Sequence, residues 1–317
     1  MQELTFDYLC LQMKAAYSNL LAEMKKGDKK SLARAITLVE NEIDGYEQIL
    51  LDLAFDKYMP VIGVTGPPGA GKSTLVNSLI KTLLQNLAPA SKGIGVISVD
   101  PSSPIHQGAI LGDRLRMNEH FNNEQVFIRS LATRGALGGL SAKTIEVSEL
   151  MRSFGFEYIL VETVGVGQSE VEIAGLADIT LLVLTPESGD DIQVMKSGVM
   201  EIADIFVVNK ADRDGADEFA KNIIQMMPTK NEKDFHPVVV KTIATSNEGV
   251  DKLTDTSQEQ LKKQHKEKTT SLWAEKAYQL ILKKKMLGIS KGELKKALDA
   301  ELAKNPVLNI YRFADNY

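Results

Sequence analysis

The chain has 317 residues, 44% hydrophobic and 25% charged, with a net charge of −5, which suits a globular protein of one α/β domain with helical additions or of two domains and leaves no basic excess to draw nucleic acid. A single cysteine, Cys10, excludes an intramolecular disulfide, and His106, His120, His236 and His265 are scattered without metal-ligand spacing. No run approaches the ~18 apolar residues of a membrane span, and the opening Met1-Gln2-Glu3 lacks the basic start of a signal peptide, so the expectation is a cytoplasmic protein with neither membrane nor nucleic acid as partner.

Leu9, Met13, Ala16, Leu20 and Met24 recur at helical spacing and predict an amphipathic helix over 5–25, broken by Gly27-Asp28. Asp28 can cap a second helix that starts near Ser31 and runs towards Phe55 before Pro60 closes it. This helical extension, 1–57, precedes a nucleotide core expected over 58–255.

The core opens with the apolar strand 61–65, followed by Gly66-Pro67-Pro68-Gly69-Ala70-Gly71-Lys72-Ser73 and a helix that begins around Thr74. Glycines at both ends of the turn let successive N–H groups curl around phosphate oxygens at the positive end of the helix. Lys72 would then reach the β- and γ-phosphates, and the Ser73 hydroxyl would ligate Mg²⁺.

Short β-branched runs then alternate with helical segments, the pattern of a mostly parallel sheet with helices on both faces. Strands are expected at 61–65, 93–100, 126–130, 158–163, 179–184, 205–209 and 237–243, and helices at 72–87, 141–154, 191–202, 215–227 and 248–265. Ligands of such sheets sit at the carboxyl ends of the strands. Asp100 ends the second strand and Asp113 follows in a turn-rich segment; both are candidates for Mg²⁺ or water positioning, or else caps of a solvated loop.

Strand 158–163 carries Glu162 near its end, an acid placed to hold the Mg²⁺ water shell, and Gly165 offers an N–H to the γ-phosphate. Val166 stands where many small GTPases carry a water-orienting glutamine; Gln168 either takes over that task or only packs in the loop, so unaided hydrolysis is expected to be slow. Arg134, in a segment with three glycines, and Asp190, Asp191, Gln193 and Lys196, between a strand end and a helix, are placed as switch residues that couple nucleotide state to a partner. Asp190 and Asp191 fit ordinary helix capping equally well. After strand 205–209, Asn209-Lys210-Ala211-Asp212 offers a carboxylate that accepts hydrogen bonds from N1–H and the exocyclic amine of guanine, which adenine cannot supply. The region 256–317 is lysine-rich helix; Lys283-Lys284-Lys285 reads as a solvated face, and the apolar residues Leu280, Ile281, Leu287, Leu294 and Leu298 can bury against the core or a second subunit.

The segments 32–40 and 66–74, together with Val99-Asp100-Pro101-Ser102-Ser103, Ile110-Leu111-Gly112-Asp113 and Val161-Glu162-Thr163-Val164-Gly165-Val166-Gly167-Gln168-Ser169-Glu170, resemble the MeaB/ArgK/MMAA family, closely over about 28–250. That resemblance implies a P-loop GTPase domain flanked by helical extensions. It implies a homodimer that serves as a chaperone of adenosylcobalamin-dependent methylmalonyl-CoA mutase or a related acyl-CoA mutase, gating cofactor delivery and protecting or reactivating the mutase. GTP or GDP with Mg²⁺ would be the ligand, with no cobalamin held by this chain. By position, Gly66 to Thr74 bind phosphate, Ser73, Asp100, Asp113 and Glu162 form the magnesium site, and Asn209, Lys210, Asp212 and Ala244 read guanine. Lys196 is the coupling residue of the 189–196 segment, and Pro104-Ile105-His106-Gln107 departs from the usual threonine- and glycine-rich turn. Two other readings compete: a metal-insertion GTPase for a nickel enzyme, which would show a histidine-rich or cysteine metal motif, and a kinase-like ATPase linked to amino-acid transport, which the guanine motif opposes.

Overall fold

The computed structural model describes residues 15–100, 119–120, 122–132, 143–163, 169–189, 203–226, 238–263 and 291–304, with single positions at 274, 277–278, 280–282, 285 and 313. The β-branched runs pair as expected. Seven strands, β1 (Val61–Thr65), β2 (Ile94–Asp100), β3 (Val126–Ala132), β4 (Tyr158–Glu162), β5 (Ile179–Leu184), β6 (Ile205–Val208) and β7 (Val238–Lys241), form one sheet in the order β3-β2-β4-β1-β5-β6-β7. Every pairing is parallel. Strands in the middle of such a sheet are covered on both faces, which is why β1, β2 and β5 are mostly apolar and buried at every residue.

The helices supply that cover. Helices α1 (15–25), α2 (Lys29–Glu40) and α3 (Tyr46–Leu51) precede the sheet, and α4 (Lys72–Gln85), α5 (Thr144–Phe154), α6 (Ser169–Leu176), α7 (Ala216–Met226) and α8 (Val250–Lys263) lie between or after strands. Leu75, Val76, Leu79, Ile80 and Leu83 of α4 and Val250 and Leu253 of α8 pack on Ile62, Val64, Val96, Leu160, Leu181 and Val207. A second cluster sets Phe219 and Ile223 of α7 against Leu182, Leu184, Phe206 and Val208. Burial of apolar surface contributes roughly 25 cal/mol per Å², so both clusters stabilise the sheet.

The N-terminal extension differs from its expectation at one place. Asp28 caps α2, its carboxylate accepting from the N–H groups of Lys30 and Ser31, but the helix stops at Asn41 instead of running on towards Phe55. Glu42 and Gly45 take left-handed φ of 48° and 87°, and the chain turns before α3. The adjacent Asp44-Gly45 is the turn signal that the helical periodicity hid. Helix α2 packs on α5 and reaches the outermost strand: Lys29 Nζ donates to the carbonyls of Glu124 and Val126, and Arg129 of β3 pairs with Glu40 at 2.5 Å. Helix α6 was not expected either, because its eight residues gather no apolar stripe on one side.

The chain divides into two compact units, Met1–Thr269 and Thr270–Tyr317. The first holds the helical extension and the sheet together, and the boundary expected at 256 falls inside α8. The second contains α9 (Lys291–Lys304). Among the described residues no helix is long and apolar enough to cross a membrane. The expected helix at 191–202 lies outside the described residues.

Candidate active site

The site residues gather where adjacent parallel strands end. Register sets Glu162 of β4 beside Val64 of β1 and Ser98 of β2, so Thr65, Asp100 and Glu162 finish at one edge of the sheet. Asp100 and Glu162 are buried there, 1% and 6% exposed. The hydroxyls of Thr65 and Thr163 meet at 2.9 Å and tie the two loops as they leave β1 and β4.

The turn from β1 to α4 has the shape its glycines permit. Gly66 has φ 142°, and a Cβ there would lie 2.1 Å from the carbonyl oxygen of Val183. Gly71, at φ 88°, begins α4 without a side-chain cap, which leaves the helix's amide end to an anion. Lys72 is buried, and its Nζ donates to the carbonyls of Gly66 at 2.9 Å and Pro67 at 3.1 Å. The cation is thereby held at the loop. Pro68, Gly69 and Thr74 are exposed at its mouth, Pro67 and Ser73 lie half-buried, and Ala70 is buried beneath.

Ser73 Oγ donates to Glu162 Oε1 at 2.7 Å, so the first turn of α4 and the end of β4 meet directly. On β2, the strand beside β4, Ser98 Oγ donates to Asp100 Oδ1 at 3.4 Å. The Ser73 hydroxyl and the two buried carboxylates at this end of the sheet are oxygen donors, the kind a hard divalent cation prefers.

Asn209 is the hub of the other half. Its side chain donates to the Ala70 carbonyl at 2.9 Å and accepts from Thr242 Oγ1 and the Ala244 N–H, both at 3.2 Å. The Ala244 carbonyl accepts in turn from Ser78 Oγ of α4 at 2.6 Å. Asn209, placed among the guanine-reading residues by resemblance, therefore commits its amide to protein partners and joins the phosphate loop to the loop after β7. Lys210, at a left-handed φ of 55°, turns the chain outward, and Asp212 stands exposed on that turn. Ala211 N–H bonds to the Thr242 carbonyl at 3.0 Å.

Sequence reading missed Thr65, Thr163, Ser78 and Thr242, whose hydroxyls hold loops together; a polar residue interrupting or ending an apolar run was the only available signal. It also missed the ion pair between Arg213 and Glu187, which joins residues far apart in the chain. Asp113, Arg134, Gly165, Gln168, Asp190, Asp191, Gln193 and Lys196 lie outside the described residues.

A phosphate loop by itself does not separate users of ATP from users of GTP. Here the Asn-Lys-Ala-Asp turn is bonded to that loop through Asn209, and the class this defines is the P-loop GTPase. Residues 32–296 match the model of the family described as methylmalonyl Co-A mutase-associated GTPase MeaB. The chain is 46% identical over 243 residues to a protein of Pyrococcus abyssi, covering 74% of this chain and 73% of that one. It is 35% identical over 251 residues to the GTPase ArgK of Escherichia coli (75% and 74% covered). It is also 35% identical over 261 residues to the methylmalonic aciduria type A homolog, mitochondrial, of Mus musculus (76% and 62%). The crystal structure of an LAO/AO transport system kinase shares the fold, with a TM-score of 0.64 at 24% identity, over 95% of this chain and 96% of that one. The chain belongs to the MeaB family and is a GTPase.

Proposed function

We propose that this GTPase serves an adenosylcobalamin-dependent acyl-CoA mutase, methylmalonyl-CoA mutase in the first instance, by gating cofactor delivery and by protecting or reactivating it. The observation that carries the reading is the match over 32–296 to mutase-associated GTPases. In this reading the amide end of α4 and Lys72 bind the β- and γ-phosphates. The Ser73 hydroxyl, Glu162 and Asp100 hold Mg²⁺, whose charge, when bound, offsets that building on the transferred phosphoryl oxygens. The contact of Ser73 with Glu162 and the burial of both acids support that donor set. Asp212 accepts from guanine, Lys210 and Ala244 flank the base, and Asn209 keeps both loops in place. Asp113 and Gln168 are proposed near the attacking water, and Arg134, Asp190, Asp191, Gln193 and Lys196 as the residues that pass nucleotide state to the mutase. Two copies of the chain form the working unit.

Without a glutamine at Val166, hydrolysis by the isolated protein is expected to be slow. Adding purified methylmalonyl-CoA mutase should raise GTP turnover severalfold. Turnover that stays the same with this and other cobalamin-dependent mutases would overturn the proposed partner and leave the GTPase class untouched.

A further inference from the structure

We propose that the ion pair between Arg213 and Glu187 positions the base-recognition turn and so sharpens the choice of guanine; this deepens the GTPase reading and rests on its assignment of Asp212 to the base. The two residues leave adjacent strands. Leu184 of β5 is in register with Val208 of β6, and the Asn209 N–H donates to the Leu184 carbonyl at 2.8 Å, so the loops share a common base. Beyond it they diverge. The chain after β5 forms a 3₁₀ turn, Pro186–Gly189, that carries Glu187 and packs against α7. The chain after β6 makes the left-handed turn at Lys210 and reaches Arg213.

A residue other than glycine keeps a left-handed conformation only where its surroundings fix it. Three fastenings hold this turn. Ala211 N–H bonds back to Thr242, Arg213 N–H closes on the Lys210 carbonyl at 3.0 Å, and the Arg213 guanidinium pairs outward with Glu187. Asp212 lies between the two fastened residues, so the backbone from which its carboxylate projects is set by them. The pairing also matters for charge. Arg213 has Asp212 and Asp214 as chain neighbours, yet its ion pair is with Glu187 on another element, and the guanidinium is engaged away from the acid that must meet the base. Arg213 and Glu187 are positioning residues; neither is placed on the nucleotide. Both are about half exposed, at 47% and 50%, so the effect of the pair is modest and salt-dependent.

The test compares GDP with inosine diphosphate, which lacks the exocyclic amine, by calorimetry in Mg²⁺ buffer. Glu187→Gln and Arg213→Gln should each weaken GDP binding about two- to fivefold and shrink the preference for GDP over inosine diphosphate by a similar factor, with the melting temperature unchanged. The exchanged pair, Glu187→Arg with Arg213→Glu, should restore the preference. A preference that both single variants leave intact, or that the exchanged pair fails to recover, overturns the proposal. A wild-type protein with no preference between the two nucleotides overturns the assignment of Asp212 to the base as well.

Discussion

The phosphate end and the base end of the site are held in different ways. Around Gly66 and Lys72 the constraints are close and internal: a glycine against the backbone of β5, and a lysine bonded to two carbonyls of its own loop. Around Asp212 the turn is held by side chains and amides from β6, the loop after β7 and the 3₁₀ turn after β5. The phosphate end is therefore fixed by backbone shape, and a change there is felt all at once. The base end is held by ties from several elements, of which the Arg213–Glu187 pair can be cut without touching the others.

The sharpest way to break that contrast is Gly66→Ala. Its methyl group would lie 2.1 Å from a buried carbonyl at a φ that alanine rarely adopts, so about 3 kcal/mol or more of strain is expected. Nucleotide binding by the variant, measured by fluorescent-GDP titration, should become undetectable; binding within tenfold of wild type would mean that the loop is softer than its geometry. Asn209→Ala should cost about 2–4 kcal/mol, because three hydrogen bonds go and buried partners are left unmatched. If Asn209 ties both ends together, the loss will appear in denaturant unfolding without nucleotide as well as in affinity for GDP. A loss confined to affinity would make Asn209 a base reader after all.

Asp212→Asn acts at the base end alone. It should weaken GTP binding about 10- to 100-fold and gain affinity for xanthosine triphosphate, while unfolding in the absence of nucleotide is unchanged. Unaltered GTP affinity would remove Asp212 from the site. The smallest effect concerns His120, which is buried near α4 and whose pKa is lowered from 6.5, first by burial. The folded chain refuses a proton that the unfolded chain accepts, so its contribution to stability is present above about pH 6.5 and is lost as pH falls below it. A scan of melting temperature from pH 7.5 to 5.5 should decline, and His120→Gln should flatten that decline. An identical decline in the variant would assign it to other groups.

The sheet was legible because its strands are written as short, mostly apolar and β-branched runs, and all seven expected strands are present with ends shifted by no more than two residues. The phosphate loop was legible because it is contiguous in sequence. What could not be read was anything made by the fold bringing distant residues together. Ser78 meeting Ala244, Thr65 meeting Thr163 and Arg213 meeting Glu187 join residues 166, 98 and 26 positions apart, and no periodicity announces such pairs. Asp28 was readable as a helix cap, whereas the end of α2 at Asn41 was concealed by a helical pattern that resumes in α3.

The helical extension bears on how the outermost strand of the sheet is covered. A parallel sheet of seven strands has two rims, and an uncovered rim is a row of backbone donors and acceptors that another chain can zip onto. At the β3 rim, Lys29 occupies the Glu124 and Val126 carbonyls, and Arg129 is turned into its pair with Glu40. A charged lysine on the rim and a helix alongside are two barriers to unwanted strand pairing. A chain beginning at residue 58 would lose both at once and leave the outer carbonyls of β3 without this cover, an opening for strand pairing that α2 closes in the full chain.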